Sequence, residues 1–153
     1  MAVGGIPLFS QGKANSAVVS TLKYCVLFDV ADSDLKEEGK TFLKEFLPKY
    51  CNVLLDEKYR DYVSEIIIEG HTDTNGSYIY NLELSQQRAF SVAKYCLTES
   101  NGIISSTDVE LLRSVLTANG KSYSNPIYKE DGSVDLEASR RVEILFRLQD
   151  EEM

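Results

Sequence analysis

Tryptophan is absent from this chain of 153 residues; histidine occurs once, and proline and cysteine three times each. The lone histidine, His71, opens a His-x-Asp step at 71–73, but no second histidine exists to complete a metal site. The cysteines Cys25, Cys51 and Cys96 form no C-x-x-C pair, so neither a zinc site nor a disulfide framework is indicated. Each sits in an apolar context. Buried thiols are the plain expectation, with one pairing left open in an oxidising compartment. Positive charge is also short, since 16 Lys and Arg face 24 Asp and Glu for a net charge of −8. That balance argues against nucleic acid, whose phosphates need a cationic face, and against adsorption to anionic lipid. There is no G-x-x-x-x-G-K-S/T phosphate loop and no G-x-S-x-G nucleophile elbow, and no cofactor is implied. No apolar run reaches the ~18 residues of a membrane helix. Met1 to Gly12 lacks the charged start and apolar stretch of a secretory signal. The chain reads as cytosolic as it stands, or as a soluble piece of a larger, anchored protein.

What is present suffices for one domain, with 43% apolar residues to build a core. The order is alternating α/β. Residues 1–20, small and polar with Gly4, Gly5 and Pro7, read as a flexible arm. Lys23 to Val30 is rich in β-formers and predicts a first strand. Asp32, Ser33 and Asp34 offer N-cap oxygens to a helix carrying Leu35, Phe42, Leu43, Phe46, Leu47 and Tyr50. Pro48 should end or kink that helix, and Val53 to Val63 continues as a second helical piece. A second strand, Glu65 to Glu69, holds Ile66, Ile67 and Ile68 in a row, as a strand covered on both faces by a parallel crossover would. After a turn at 70–77, a helix is predicted over Tyr80 to Leu97, ended by Asn101-Gly102. A short helix near Thr107 to Leu112, an extended piece near Arg113 to Ala118 and a polar loop from Asn119 to Glu137 follow. The last strand, Arg140 to Leu148, alternates Val142, Ile144 and Phe146 with Arg141, Glu143 and Leu145. The tail 150–153 is acidic, leaving 21–149 as the domain.

The segment Glu69 to Gly76, followed by Leu84 to Ala89, carries the chemistry. Asp73 stands at a strand-to-helix turn, where ligands of open α/β sheets collect. Arg88 lies on the next helix, beside its apolar stripe, where a guanidinium can grip a carboxylate with two parallel hydrogen bonds. Together they suit a ligand bearing both an ammonium and a carboxylate, and Asn81 can cap the helix or bond that ligand. A plainer reading stands beside this one: Asp73 makes an Asx-turn before Asn75-Gly76, and Arg88 pairs with Glu83 or Asp73. His71 reads as a strand-end residue bonded locally; a hydrolase centred on His71 and Asp73 is the lesser alternative.

Three strings then carry a resemblance. They are Ile68 to Gly76 (I-E-G-H-T-D-x-x-G), Tyr80 to Tyr95 (Y-N-x-x-L-S-x-x-R-A-x-x-V-x-x-Y) and Arg140 to Ile144 (R-R-V-E-I). In that order, across residues 24–148, they resemble the OmpA-like peptidoglycan-binding domain. Val26 to Asp29 with Asp34-Leu35 is similar to that family's first strand and helix start. The resemblance implies an α/β (α+β sandwich) fold, β-α-β-α-β, with helices packed on one mixed sheet. It implies binding without catalysis. Asp73 and Arg88 match the pair that holds the amino and carboxylate groups of diaminopimelate in the wall's stem peptide. Thr72 and Asn81 match supporting contacts, and Arg140 or Arg141 matches the basic pair of the last strand. Where the family has Asn before that pair this chain has Ser139, which puts one supporting hydrogen bond in question.

The long segments Pro48 to Ser64 and Asn119 to Glu137 are more similar to the MotB- and ZorB-like stator branch, in which a membrane helix precedes the wall-binding domain and dimers are usual. The resemblance thus implies a place in the cell envelope, on its periplasmic face, and a motor or channel subunit reached through a segment upstream of Met1. An OmpA- or Pal-type envelope-integrity protein, or a structural dimerisation module, are the other readings.

Overall fold

The computed structural model describes residues 16–99 and 102–149. Its four strands form one mixed sheet in the order β1-β4-β2-β3. They are β1 Ser16–Lys23, β2 Val63–His71, β3 Leu116–Gly120 and β4 Arg141–Leu148. β4 runs antiparallel to β1 and β2, whereas β2 and β3 are parallel. Parallel neighbours need a crossover, here α3 (Tyr78–Lys94), a π-helical turn at Tyr95–Glu99 and α4 (Ser106–Val115). α1 (Tyr24–Leu27) and α2 (Glu37–Leu54) precede them, and a short α5 (Leu136–Ser139) leads into β4.

The core lies between the sheet and these helices. Ile66 and Ile68 of β2 join Val142, Ile144 and Phe146 of β4, with Leu43 and Leu47 from α2, Val92 from α3 and Leu112 from α4. The expected alternation of the last strand is therefore the one that forms. The mixed sheet with packed helices forms too, and the extended piece after α4 becomes the edge strand β3. Ile67 is equally buried, but strand alternation assigns it to the opposite face, where its register partners are Leu145 and Thr117. Its strand neighbours on that face, Glu65 and Glu69, are charged, so the isoleucine run marks two different environments.

The amino-terminal reading needs correction. The first strand is Ser16–Lys23, so it begins inside the stretch expected to be an arm, while residues 1–15 lie outside the described residues. The β-forming run that follows is a helical turn instead, with Phe28 N–H donating to the Tyr24 carbonyl at 2.7 Å. Tyr24, Leu27 and Phe28 are the buried members. That spacing of i, i+3, i+4 is helical, and it overrides β-propensity.

α2 also starts later than expected. Asp32 Oδ1 accepts from the N–H groups of Ser33 and Asp34 at 2.7 and 3.1 Å, so it closes an Asx-turn and leaves Lys36 to begin the helix without a side-chain cap. Glu37 and Glu38 in the first turn complement the positive helix end. Pro48 does not end α2. Leu43 and Leu47 before or beside it and Tyr50, Cys51 and Leu54 after it are all buried. Burial of that stripe, worth ~1.5–3 kcal/mol per large side chain, outweighs the ~3 kcal/mol a helical proline costs. The second helical piece reduces to a 3-10 turn at Arg60–Tyr62. Gln149 donates its N–H to the Tyr62 carbonyl at 2.7 Å, which ties the end of β4 to that turn.

α3 crosses the ends of β2 and β3 at backbone distance. A Cβ built on Gly70 would stand 2.3 Å from the Ser85 carbonyl oxygen, and one on Gly120 would stand 2.4 Å from the Gln86 nitrogen. The contact is stitched by hydrogen bonds. Ser122 N–H donates to Ser85 Oγ at 3.1 Å, Gly120 N–H to Gln86 Oε1 at 2.8 Å, and Gln86 Nε2 to the Ala118 carbonyl at 3.1 Å. Replacing Gly70 or Gly120 with Ala should lower unfolding free energy by about 2–3 kcal/mol, because backbone rather than a flexible side chain must move. Urea unfolding of each variant checks this; a loss below about 0.5 kcal/mol would contradict so tight an approach.

Candidate functional site

The turn between β2 and α3 is built around Asp73. Its Oδ1 accepts from Asn75 N–H at 2.9 Å, and its Oδ2 accepts from Arg140 Nη1 at 2.6 Å. Thr72 is pinned on both sides, its N–H donating to the Ser122 carbonyl at 2.9 Å and its hydroxyl to the Asp73 carbonyl at 2.9 Å. Ser77 caps α3 by accepting from Tyr80 N–H at 3.1 Å. Asn81 reaches back, donating through Nδ2 to the carbonyls of Asn75 at 2.7 Å and Ser77 at 3.0 Å. Both its N–H groups are thereby used by the turn, and only Oδ1 remains for another partner.

Arg88 sits two turns further along the same helix face and is 5% exposed. Its Nε donates to the Asp32 carbonyl at 2.8 Å, and Nη2 approaches the Asp29 carbonyl at 3.5 Å. The guanidinium carbon lies 4.2 Å from the Tyr24 ring centre and 5.2 Å from that of Phe28, within cation–π range. No carboxylate lies within ion-pair distance of Arg88 among the described residues. Burial lowers the Arg88 pKa from its ordinary value and raises that of the Tyr24 phenol to about 12, so desolvation dominates both. The loop that receives Arg88 is bent by Ala31, whose φ of 60° is left-handed and unfavourable for a residue with a Cβ.

Thr72, Asp73, Asn81, Arg88 and Arg140 all line one cavity of about 580 Å³. The structure thus unites five of the six residues singled out from sequence. Arg141, the sixth, is elsewhere. Alternation turns it to the other sheet face, where it bonds Glu143 Oε2 at 2.7 Å and the carbonyls of Ser139 and Asn125 at 3.1 and 3.2 Å. Of the basic pair, Arg140 is therefore the cavity residue. The Asx-turn of the plainer reading is present, but the ion pair of Asp73 is with Arg140 and not with Arg88. Ser139 is fully buried and accepts from Ile127 N–H at 2.9 Å, so it fastens the long loop instead of reaching the cavity.

Sequence reasoning missed several contributors. Tyr24 and Phe28 form the aromatic seat of Arg88; their i, i+4 spacing just before an Asp-containing loop was the available signal. Lys36 also lines the cavity, as does Cys25, which is exposed and so departs from the expectation of buried thiols. Three cations (Lys36, Arg88, Arg140) face two carboxylates (Asp29, Asp73) on this wall. The cavity is locally cationic in a chain of net charge −8.

His71 is 1% exposed and belongs to the opposite sheet face, with Nε2 at 3.1 Å from Glu69 Oε1 and 3.7 Å from Glu143 Oε1. It bonds locally, as a strand-end residue should. The three ligand atoms of Glu69, His71 and Glu143 lie within 4.8 Å of one another. Arg141 already neutralises Glu143, and Arg141 and Lys121 both bear on Glu69. A divalent cation there would meet two fixed positive charges, which disfavours it.

The hydrogen bond from His71 is the first cause holding the Glu69 carboxyl below its ordinary value. A depressed carboxylate stabilises the fold above its unfolded pKa of about 4.3, and that contribution fades as pH falls through the folded value. Glu69→Gln should therefore lose stability at pH 7 and narrow its gap to the parent chain below about pH 4, read by thermal unfolding across pH. The thiols make a second expectation. Burial pushes Cys51 and Cys96 up to about 12. Under native conditions a thiol reagent should modify Cys25 promptly and the other two only on unfolding; three equally fast thiols would overturn that assignment.

The OmpA family matches residues 27–139. Zorya protein ZorB of Escherichia coli is 34% identical over 125 residues, 76% of this chain and 51% of that protein. The periplasmic domain of Helicobacter pylori MotB shares the fold with a TM-score of 0.61 at 19% identity, over 93% of this chain and 89% of that one. The cell wall anchor of the T6SS from Pseudomonas aeruginosa does so with a TM-score of 0.56 at 21% identity, over 97% and 91%. The chain spans about half the length of the curated ZorB relatives it matches.

Proposed function

The chain belongs to the OmpA family, and we propose that it binds the stem peptide of peptidoglycan through the Asp73–Arg88 cavity and breaks no bond. The observation that carries this reading is Arg88. A guanidinium withdrawn from water, held in place by backbone carbonyls and aromatic rings, lines the cavity with no carboxylate within ion-pair distance among the described residues. Such a group favours a bidentate anion from outside. Diaminopimelate presents a carboxylate and an ammonium on one carbon. Its carboxylate goes to Arg88, and its ammonium goes to Asp73, whose carboxylate has lone pairs beyond those used by Asn75 and Arg140. Thr72 and Asn81 fix the turn that aims Asp73, and Arg140 holds its carboxylate in place.

The relatives support a wider role. One fold neighbour is a cell wall anchor and another a periplasmic MotB domain. We place this chain in the cell envelope as the wall-binding part of a larger membrane protein of the ZorB- and MotB-like stator kind, with an OmpA- or Pal-type envelope protein as the second reading. Among the described residues no helix is long and apolar enough to cross a membrane. The stator reading requires an apolar stretch of ~20 residues with an acidic residue inside it, upstream in the native gene.

Asp73→Asn and Arg88→Lys keep size or charge while removing the carboxylate or the fork. Each should weaken co-sedimentation with purified peptidoglycan by at least about tenfold, the effect of one lost charge-assisted contact. Unfolding temperatures should stay close to the parent's. Retention on peptidoglycan by both folded variants would sink the proposal. Release of soluble muropeptides that stops in His71→Ala would replace it with the hydrolase reading.

A further inference from the structure

Among the described residues, Lys36 is the one cation of the cavity with no task in the scheme above, and it is built into the wall. Its backbone N–H donates to the Leu27 carbonyl at 2.7 Å, and its Nζ donates to the Cys25 carbonyl at 2.9 Å, so the end of α1 holds it twice. Its side chain is 30% exposed, and the nearest carboxylate, Glu38, stands off at 3.6 Å. An ammonium has three donors. One is taken by Cys25 and one faces a long, solvated ion pair, which leaves a donor for the cavity that Lys36 lines.

Stem peptides offer a second anion on the residue that precedes diaminopimelate. The residue before diaminopimelate is a glutamate joined through its γ-carboxyl, and its α-carboxylate is left as a free acid or converted to an amide. A cavity of about 580 Å³ is of the size that takes a drug-sized ligand rather than one amino acid. The side chain of diaminopimelate and the γ-linkage place a flexible run of methylenes between the two carboxylates, so the second can swing to the wall that Lys36 lines once diaminopimelate is on Arg88. We infer that Lys36 reads that α-carboxylate, so that the site distinguishes stem peptides with a free acid from those amidated at the second position. This rests on the stem-peptide reading above.

Titration calorimetry on the full chain tests it, with the synthetic tripeptide L-Ala-γ-D-Glu-diaminopimelate and its second-position α-amide as probes. The parent chain should bind the acid about fivefold more tightly than the amide, a modest ratio because Lys36 is partly solvated. Lys36→Gln should bind both alike, at the parent's affinity for the amide, and Lys36→Arg should restore the preference. Added salt should shrink the preference in the parent. Equal affinity of the parent for the two peptides overturns the inference. So does a preference that survives in Lys36→Gln together with a lowered unfolding temperature, which would make Lys36 a cap for α1 and nothing more. Failure of both peptides to bind the parent overturns the stem-peptide reading itself, and this inference with it.

Discussion

The backbone contact of α3 with the ends of β2 and β3 is the constraint on which the site depends. Two glycines, Gly70 and Gly120, let the helix come close enough for Ser85 and Gln86 to bond the strand ends directly. From that fixed point the functional residues lie one turn to either side. Asn81, four residues earlier, ties down the turn that carries Asp73; Arg88, three residues later, reaches the loop after α1. Positions spaced by three and four share a helix face. A single seam therefore sets the acid, its supporting amide and the base in one frame.

A second constraint is register. β4 is held by Val142, Ile144 and Phe146 in the core, and side chains alternate along a strand. That alternation sends Arg141 to the face of His71 and Glu143 and leaves Arg140 for the cavity. A slip of one residue would exchange the two arginines and expose the core row together. The greasy pattern of the strand thus decides which arginine meets Asp73, although no apolar residue of β4 lines the cavity.

Much of this was legible in the chain. Strong periodic signals survived: the isoleucine strand, the alternation of β4 and the apolar stripe of α3. The amino-terminal third was less legible, for identifiable reasons. Tyr24 to Phe28 is composed of β-formers, and only its burial spacing reveals a helical turn. Asp32 looks like a cap, but its oxygen is used within its own loop. Pro48 carries a local penalty that a continuous buried stripe offsets. At the site, the residue types were readable while their partners were not. Arg140 takes Asp73 because of strand alternation, and the carbonyls that hold Arg88 have no side-chain signature at all.

The two ends of a zwitterionic ligand would meet unequal hosts. Asp73 is already paired with Arg140 at 2.6 Å, so an ammonium arriving there shares the carboxylate and gains less than it would from a free acid. Arg88 has already lost most of its hydration and has carbonyls and ring faces in return. Its desolvation was met during folding, and a carboxylate that docks on it gains a charge-assisted contact without that penalty falling due again. On the proposed reading, the carboxylate end supplies most of the grip. The acid at Asp73 then orients the amine end, through the lone pairs that Arg140 and Asn75 leave open.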